Sequence, residues 1–131
     1  MIVADASALI AHLDAGDVHH DSVERILLDL ADHPLGSSTI THAEVLVGPA
    51  AAGRLEEAQA ALEALGIEEL GLGPDAAPRL AALRAETGLK LPDCCVLLAA
   101  RDTPPSALLT FDERLSVTAR RYGLHVHGAP G

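Results

Sequence analysis

The chain has 131 residues, of which 49 % are hydrophobic, and its 9 Lys and Arg against 19 Asp and Glu give a formal net charge of −10. This length and apolar content suit one compact domain and exclude an intrinsically disordered chain. The acidic total argues against binding to nucleic acid through a basic surface. Because we find neither a signal sequence nor an apolar run of ~18 residues, we expect a soluble, cytoplasmic protein without a membrane partner.

The charged residues are unevenly distributed. The segment up to Asp75 holds fourteen acids and two bases, whereas the segment from Ala76 onward holds seven bases and five acids. A polyanionic partner would therefore need the bases of the second half, or bound cations, to neutralise its charge. The two cysteines, Cys94 and Cys95, are adjacent and lack the spacing of a zinc site, so we expect free thiols in a reducing compartment.

Hydrophobic periodicity and turn residues predict strands that alternate with helices along the chain. The predicted strands are Met1–Ala4, Leu35–Thr39, Ile67–Leu72, Ala107–Thr110 and Leu124–His127. The predicted helices are Ser7–Leu13, Asp21–Leu30, Thr41–Gly48, Leu55–Leu65, Ala76–Thr87, Pro92–Arg101 and Glu113–Tyr122. This alternation predicts an α/β fold with a mainly parallel central sheet of about 4–5 strands flanked by about 6–7 helices. We assign residues 1–127 to this single domain and residues 128–131 to a C-terminal tail.

Two helix starts carry capping residues. Ser7 is predicted to cap the first helix. Thr41 and Glu44 have the spacing of a capping box, which places Glu44 in the first turn of the helix after the second strand.

Four carboxylates fall at equivalent places in this layout. Asp5 ends the first strand, Glu44 and Asp93 lie at the starts of helices, and Asp112 follows the fourth strand and begins the last helix. In an open parallel sheet, the carboxyl ends of the strands and the starts of the following helices share one edge, where ligands bind. We therefore expect these four acids to converge in one crevice.

Each acid alone also has a simpler interpretation, because Asp and Glu are favoured at helix N-termini as caps and as partners of the helix dipole. Asp5 and Asp93, however, lie beside strongly apolar segments, where a surface cap has no need to be. Two carboxylates about 6 Å apart repel by roughly 3 kcal/mol, so a cluster must take up protons or bind a cation. Oxygen ligands without His or thiolate suit Mg²⁺ or Mn²⁺.

These acids lie in four sequence blocks. The blocks are Ile-Val-Ala-Asp-Ala-Ser-Ala-Leu (2–9), Glu-Val-Leu-Val-Gly (44–48), Leu-Pro-Asp (91–93) and Leu-Leu-Thr-Phe-Asp (108–112). In this order they resemble the PIN-domain ribonucleases, especially the VapC-type toxins of toxin–antitoxin pairs. The resemblance extends over essentially the whole chain.

The resemblance implies an endoribonuclease that uses Mg²⁺ or Mn²⁺ to hydrolyse RNA phosphodiester bonds. The implied site consists of four catalytic and metal-binding acids and two hydroxyl residues that hold carboxylates by hydrogen bonds: Asp5, Glu44, Asp93, Asp112, Ser7 and Thr110. The resemblance also implies a cognate antitoxin that neutralises the protein, and a homodimer.

The basic residues of the last helix, Arg114, Arg120 and Arg121, have two interpretations. They form either a solvated helix face or a contact surface for RNA phosphates. The pairs His19–His20 and His125–His127 are expected at the surface or in structural roles, because no third ligand with zinc spacing accompanies them.

An alternative function is a binding or signalling module that does not cleave, either a catalytically silent PIN-like domain or a receiver-like metal-binding domain. A receiver-like domain ordinarily has paired acids after its first strand and a late Lys, whereas here Ala4 precedes Asp5 and no Lys follows Lys90. The intact set of four acids favours the enzyme over a silent domain.

Overall fold

A computed structural model of the chain describes residues 1–104 and 106–129. In this part of the chain the strands are β1 (Ile2–Ala4), β2 (Leu35–Ser38), β3 (Glu68–Leu70), β4 (Ala107–Thr110) and β5 (His125–Gly128). They form one sheet in the order β3-β2-β1-β4-β5, and all four neighbouring pairs are parallel. The predicted α/β fold with a parallel central sheet is therefore confirmed.

Helices surround this sheet on both faces. They are α1 (Ala6–Leu13), α2 (His20–Asp29), α3 (Thr39–Ala51), α4 (Leu55–Leu65), α5 (Ala76–Thr87), α6 (Leu91–Arg101) and α7 (Glu113–Arg121). Helices α4 and α5 have the bounds predicted from the sequence, since their apolar spacing is regular and a glycine follows each of them.

The sheet separates two apolar clusters because neighbouring residues of a strand point to opposite faces. Val3 and Leu108 belong to the cluster under α5, α6 and α7, whereas Ile2 and Leu109 belong to the cluster under α1–α4. Helix α6 is buried along seven consecutive residues, 94–100. Its apolar sequence thus fills the core, and both cysteines within it are free and buried as expected.

The start of α1 differs from the predicted cap. Asp5, not Ser7, is the N-cap, and its side chain accepts a hydrogen bond from the amide of Ala8 at 3.1 Å. The helix begins directly after β1, so the first residue beyond the strand takes the cap position. Ser7 lies inside the first turn instead.

The predicted capping box at Thr41 and Glu44 is wrong. Ser38 caps α3 by accepting a hydrogen bond from the amide of Thr41 at 3.1 Å. Because β2 runs into α3 without a loop, the cap lies three residues earlier than predicted, and Glu44 falls in the second turn. The helix also continues through Pro49 to Ala51, beyond its predicted end.

Strand β5 extends beyond the predicted domain boundary. Gly128 pairs with Thr110 in β4, and the amide of the buried Ala129 donates to the carbonyl of Thr110 at 2.7 Å. Sheet pairing thus includes Gly128, which the sequence assigned to the tail, while Pro130 and Gly131 lie outside the described residues. Among the described helices, none has the length and apolar character needed to cross a membrane.

Candidate active site

Asp5 lies at the end of β1, where the order of the strands reverses. β2 extends the sheet to one side of β1 and β4 to the other, so the ends of β1 and β4 border a crevice. Only 4 % of the Asp5 surface is exposed. Its Oδ1 accepts hydrogen bonds from the Ser7 hydroxyl at 2.7 Å and the Ala8 amide at 3.1 Å, and its Oδ2 accepts one from the Thr110 hydroxyl at 2.5 Å. Three donors thus fix the orientation of this carboxylate.

Further hydrogen bonds connect the end of β4 to the same place. The Thr110 hydroxyl accepts from the amide of Asp112 at 3.0 Å, and the Ser7 hydroxyl accepts from the amide of Phe111 at 3.0 Å. Asp112 caps α7, because its Oδ1 accepts from the amide of Leu115 at 2.9 Å. Asp5 and Asp112 are therefore helix caps, as the simpler interpretation predicts, and they also lie at the crevice.

The four predicted acids are close enough to act on one another electrostatically. Burial raises the pKa of Asp93 to about 6, and the charges of Asp112, Asp5 and Glu44 add to this rise. Burial also raises the pKa of Asp5, despite its hydrogen bonds, and the charge of Asp112 contributes. For Glu44, burial and then the charge of Asp5 raise the pKa. The structure brings these side chains into one region, which we call the acidic pocket.

Asp93 enters the acidic pocket from the first turn of α6. Lys90 is the N-cap residue of this helix, and Pro92 occupies its first turn, where a missing amide hydrogen costs no hydrogen bond. The positive charge of Lys90 lowers the pKa of Asp93, although less than burial and the three acids raise it. The net effect is a pocket with surplus negative charge.

The donor chemistry of the acidic pocket fits a hard divalent cation, since all four side chains offer carboxylate oxygens. Among the described residues, no group of three or more His, Cys, Asp or Glu is arranged so that it could hold a metal ion. Mg²⁺ does not require such a group, because it usually keeps several waters and contacts only one or two carboxylates. One or two acids of the pocket could therefore hold such an ion.

The three arginines of α7 have different surroundings. Arg120 donates to the Ser116 hydroxyl at 2.7 Å and to a backbone carbonyl after β5 at 3.4 Å, so its guanidinium is part of the fold. Arg114 and Arg121 are exposed and line a surface groove together with Asp112, and Arg114 also donates to the backbone carbonyl of Gly88 at 3.2 Å. Of the three, these two share a groove with an acid of the pocket.

The sequence reasoning missed an aromatic contact beside the pocket. His19 stacks on Phe111 with ring centroids 4.3 Å apart and an interplanar angle of 6°. The position of Phe111 next to Asp112 was the only available signal. No local pattern could have assigned His19 to this place, because it comes from the loop before α2.

The chain is thus a small α/β domain with a parallel sheet, and its carboxylates lie where the order of the strands reverses. These features place it in a class of small domains with an acidic site. The family model of the PIN domain matches residues 2–121. The chain therefore belongs to the PIN-domain family, which confirms the resemblance found in the sequence.

Several solved structures are similar to this chain. A chain of a toxin–antitoxin complex from Klebsiella pneumoniae is 27 % identical, with 88 % of this chain and 90 % of that chain covered and a TM-score of 0.69. VapC20 from Mycobacterium tuberculosis, described as a toxin that cleaves the sarcin–ricin loop, is 18 % identical, with 90 % and 95 % covered and a TM-score of 0.72. FitAcB from Neisseria gonorrhoeae is 20 % identical, with 98 % and 97 % covered and a TM-score of 0.72. The likeness to VapC20 and FitAcB shows that these two proteins and this chain have the same fold. No curated protein matches the sequence.

Proposed function

We propose that this protein is a metal-dependent endoribonuclease of the VapC type, the toxin of a toxin–antitoxin pair. The observation that carries the proposal is the acidic pocket at the reversal of the strand order, where burial and then neighbouring carboxylates raise the pKa of Asp5, Glu44 and Asp93. Membership of the PIN-domain family and the likeness to the Klebsiella pneumoniae toxin–antitoxin complex support it. The described activity of VapC20 supports RNA as the substrate.

In this proposal Asp5, Asp93 and Asp112 hold Mg²⁺ or Mn²⁺, with Glu44 assisting. The bound ion would supply a water of lowered pKa and positive charge for the phosphate. A carboxylate has about four acceptor sites, and the protein's own donors already use three of those on Asp5. Asp5 therefore has one acceptor site left, on Oδ2, and would bind through that oxygen.

Ser7 and Thr110 are the positioning residues of this proposal. Each hydroxyl donates a hydrogen bond to the Asp5 carboxylate and accepts one from a backbone amide of the segment after β4. The two residues therefore fix the distance between the ends of β1 and β4. A cation placed in the crevice would then meet Asp5 and Asp112 in a preset arrangement, without reorganisation of the protein.

The proposal is tested by incubating the purified protein with total RNA and sequencing the ends that form. We expect cleavage in Mg²⁺ or Mn²⁺ that leaves 5′-phosphate and 3′-hydroxyl ends, and loss of cleavage in EDTA that added metal restores. Cleavage that survives EDTA would contradict the metal-dependent mechanism. Binding of RNA without cleavage in either metal would favour the catalytically silent alternative.

Arg114 and Arg121 are proposed to bind RNA phosphates beside the acidic pocket, because both are exposed and share a groove with Asp112. Replacing both by glutamine should raise KM and leave kcat largely unchanged. On single-stranded RNA the slope of log K against log[salt] should fall by about 1.4, or about 0.7 for each lost phosphate contact. Arg25→Gln, an exposed arginine of α2, is the matched control. Equal effects of the control and the double variant would contradict these roles.

A cognate antitoxin is the proposed partner, and an apolar groove lies beside α2 for it. Leu27, Leu28 and Leu30 from α2 and its end line this groove together with Leu65 of α4, and Leu28 is 77 % exposed. An amphipathic helix of the antitoxin could bury these side chains. The homodimer implied by the resemblance stays a prediction.

A further inference from the structure

The stacked rings of His19 and Phe111 lie at the edge of the sheet that carries the acidic pocket. Phe111 follows Thr110, which bonds to Asp5, and precedes Asp112. Consecutive Cα atoms are ~3.8 Å apart, so the ring is attached one residue from Asp112 of the acidic pocket and one residue from Thr110, which bonds to Asp5. The chain contains one Phe, one Tyr and no Trp, and this Phe is the one beside the acids.

Phe111 is held rigidly. Its amide donates to the Ser7 hydroxyl at 3.0 Å, and its half-buried ring packs against the apolar cluster under α1–α4. The backbone and the ring of Phe111 are therefore both held in place. The imidazole of His19 stacks on this fixed ring.

His19 remains exposed although its ring stacks on Phe111. One face lies on Phe111, the residue as a whole is exposed, and its side chain makes no capping hydrogen bond to α2 although it stands at the N-cap. The backbone is nevertheless fixed, because its amide donates to Asp17 Oδ1 at 2.8 Å. An ordered imidazole that remains exposed has little to contribute to folding.

We propose that the His19–Phe111 stack is a platform on which an unpaired RNA base next to the cleaved phosphodiester bond stacks. The inference rests on the proposed ribonuclease function and adds a base-binding site to it. Proteins recognise unpaired bases by stacking them on aromatic side chains, including His. A base within a duplex already stacks on its neighbours and is not free to do so. The platform therefore binds a base only where the RNA leaves it unpaired.

The test uses a single-stranded RNA 12-mer with one 2-aminopurine, a base whose fluorescence falls when it stacks, and the same strand in a duplex. His19→Ala should lower kcat/KM on the single strand about 10-fold. His19→Phe should restore most of it, because the flat ring returns. His125→Ala is the matched control, an exposed histidine at the start of β5, and should change nothing. The melting temperatures should stay equal to that of the wild type.

Binding is measured separately in the uncleaving Asp93→Asn background. The 2-aminopurine fluorescence of the single strand should fall on binding, and adding His19→Ala should remove most of this fall. Unchanged kcat/KM and unchanged quenching in His19→Ala, or failure of His19→Phe to restore them, would overturn the platform while leaving the ribonuclease proposal intact. A wild-type protein that quenches the probe but never cleaves RNA would instead refute the proposed function. Absence of quenching in every variant would overturn the platform whatever the cleavage result.

Discussion

Replacing Asp5 or Asp93 by asparagine is expected to lower RNA cleavage by at least about 100-fold, the loss typical of removing one electrostatic contact to the reacting group. Asparagine keeps the size of the side chain and removes its charge. The measurement is the initial rate on a labelled RNA in Mg²⁺. Asp29→Asn, the same change at an exposed acid ending α2, serves as the control and should retain full activity.

In metal-free buffer the same variants should be as stable as the wild type or more stable. The pKa of Asp93 is raised from 3.8 to about 6, so its contribution to stability is complete below about pH 4 and is lost as the pH rises through about 6. Solvent screening of this half-buried group leaves an effect of about 1 kcal/mol. Asp93→Asn should thus raise Tm by roughly 3–5 °C at alkaline pH, and the gain should vanish near pH 4. A clear fall in metal-free Tm at pH 8 would argue against a repelling cluster, and full activity of either variant against the proposed site.

Replacing Gly128 by alanine is expected to destabilise the fold by about 2–4 kcal/mol, which lowers Tm by about 10 °C. Gly128 has a φ of +102°, a conformation that L side chains rarely adopt, and an added Cβ would overlap the carbonyl oxygen of Thr110. Because that atom is backbone, β5 must move away from β4.

Gly123→Ala separates the two causes. Gly123 also has a positive φ, of 78°, but a Cβ there would meet nothing within 4 Å. It should therefore show only the backbone strain, about 1 kcal/mol. Urea or thermal unfolding of both variants gives the comparison, and equal losses would mean that the contact with Thr110 contributes nothing.

Local sequence was sufficient for most of the elements. Helices α4 and α5 and strand β4 have their predicted bounds, because apolar spacing and turn residues act within a few positions. The errors occurred at the ends of elements, among them the starts of α1 and α3, the end of α3 and the end of β5. The sequence pattern predicts Thr41 as the N-cap of α3, whereas Ser38 is the N-cap in the structure. The position of the cap depends on where β2 ends in the sheet rather than on the residues of α3.

The acidic pocket was accessible to sequence reasoning for a similar reason. In a parallel sheet, strand ends and helix starts must meet at one edge, so the placement of Asp5 and Asp112 could be anticipated before their partners were known. The distinction between Arg120, which bonds within the fold, and Arg121, which is exposed, could not be anticipated, because it depends on what packs against α7.

The sequence by itself determined the α/β class, the two faces of the sheet and the four acids at one edge, since each follows from period, composition and strand direction. Tertiary structure alone decided the strand order, the bond from Thr110 to Asp5 across 105 positions, and the stacking of His19 on Phe111. Such contacts join segments that are distant along the chain, and they form only once packing has chosen which strands are neighbours.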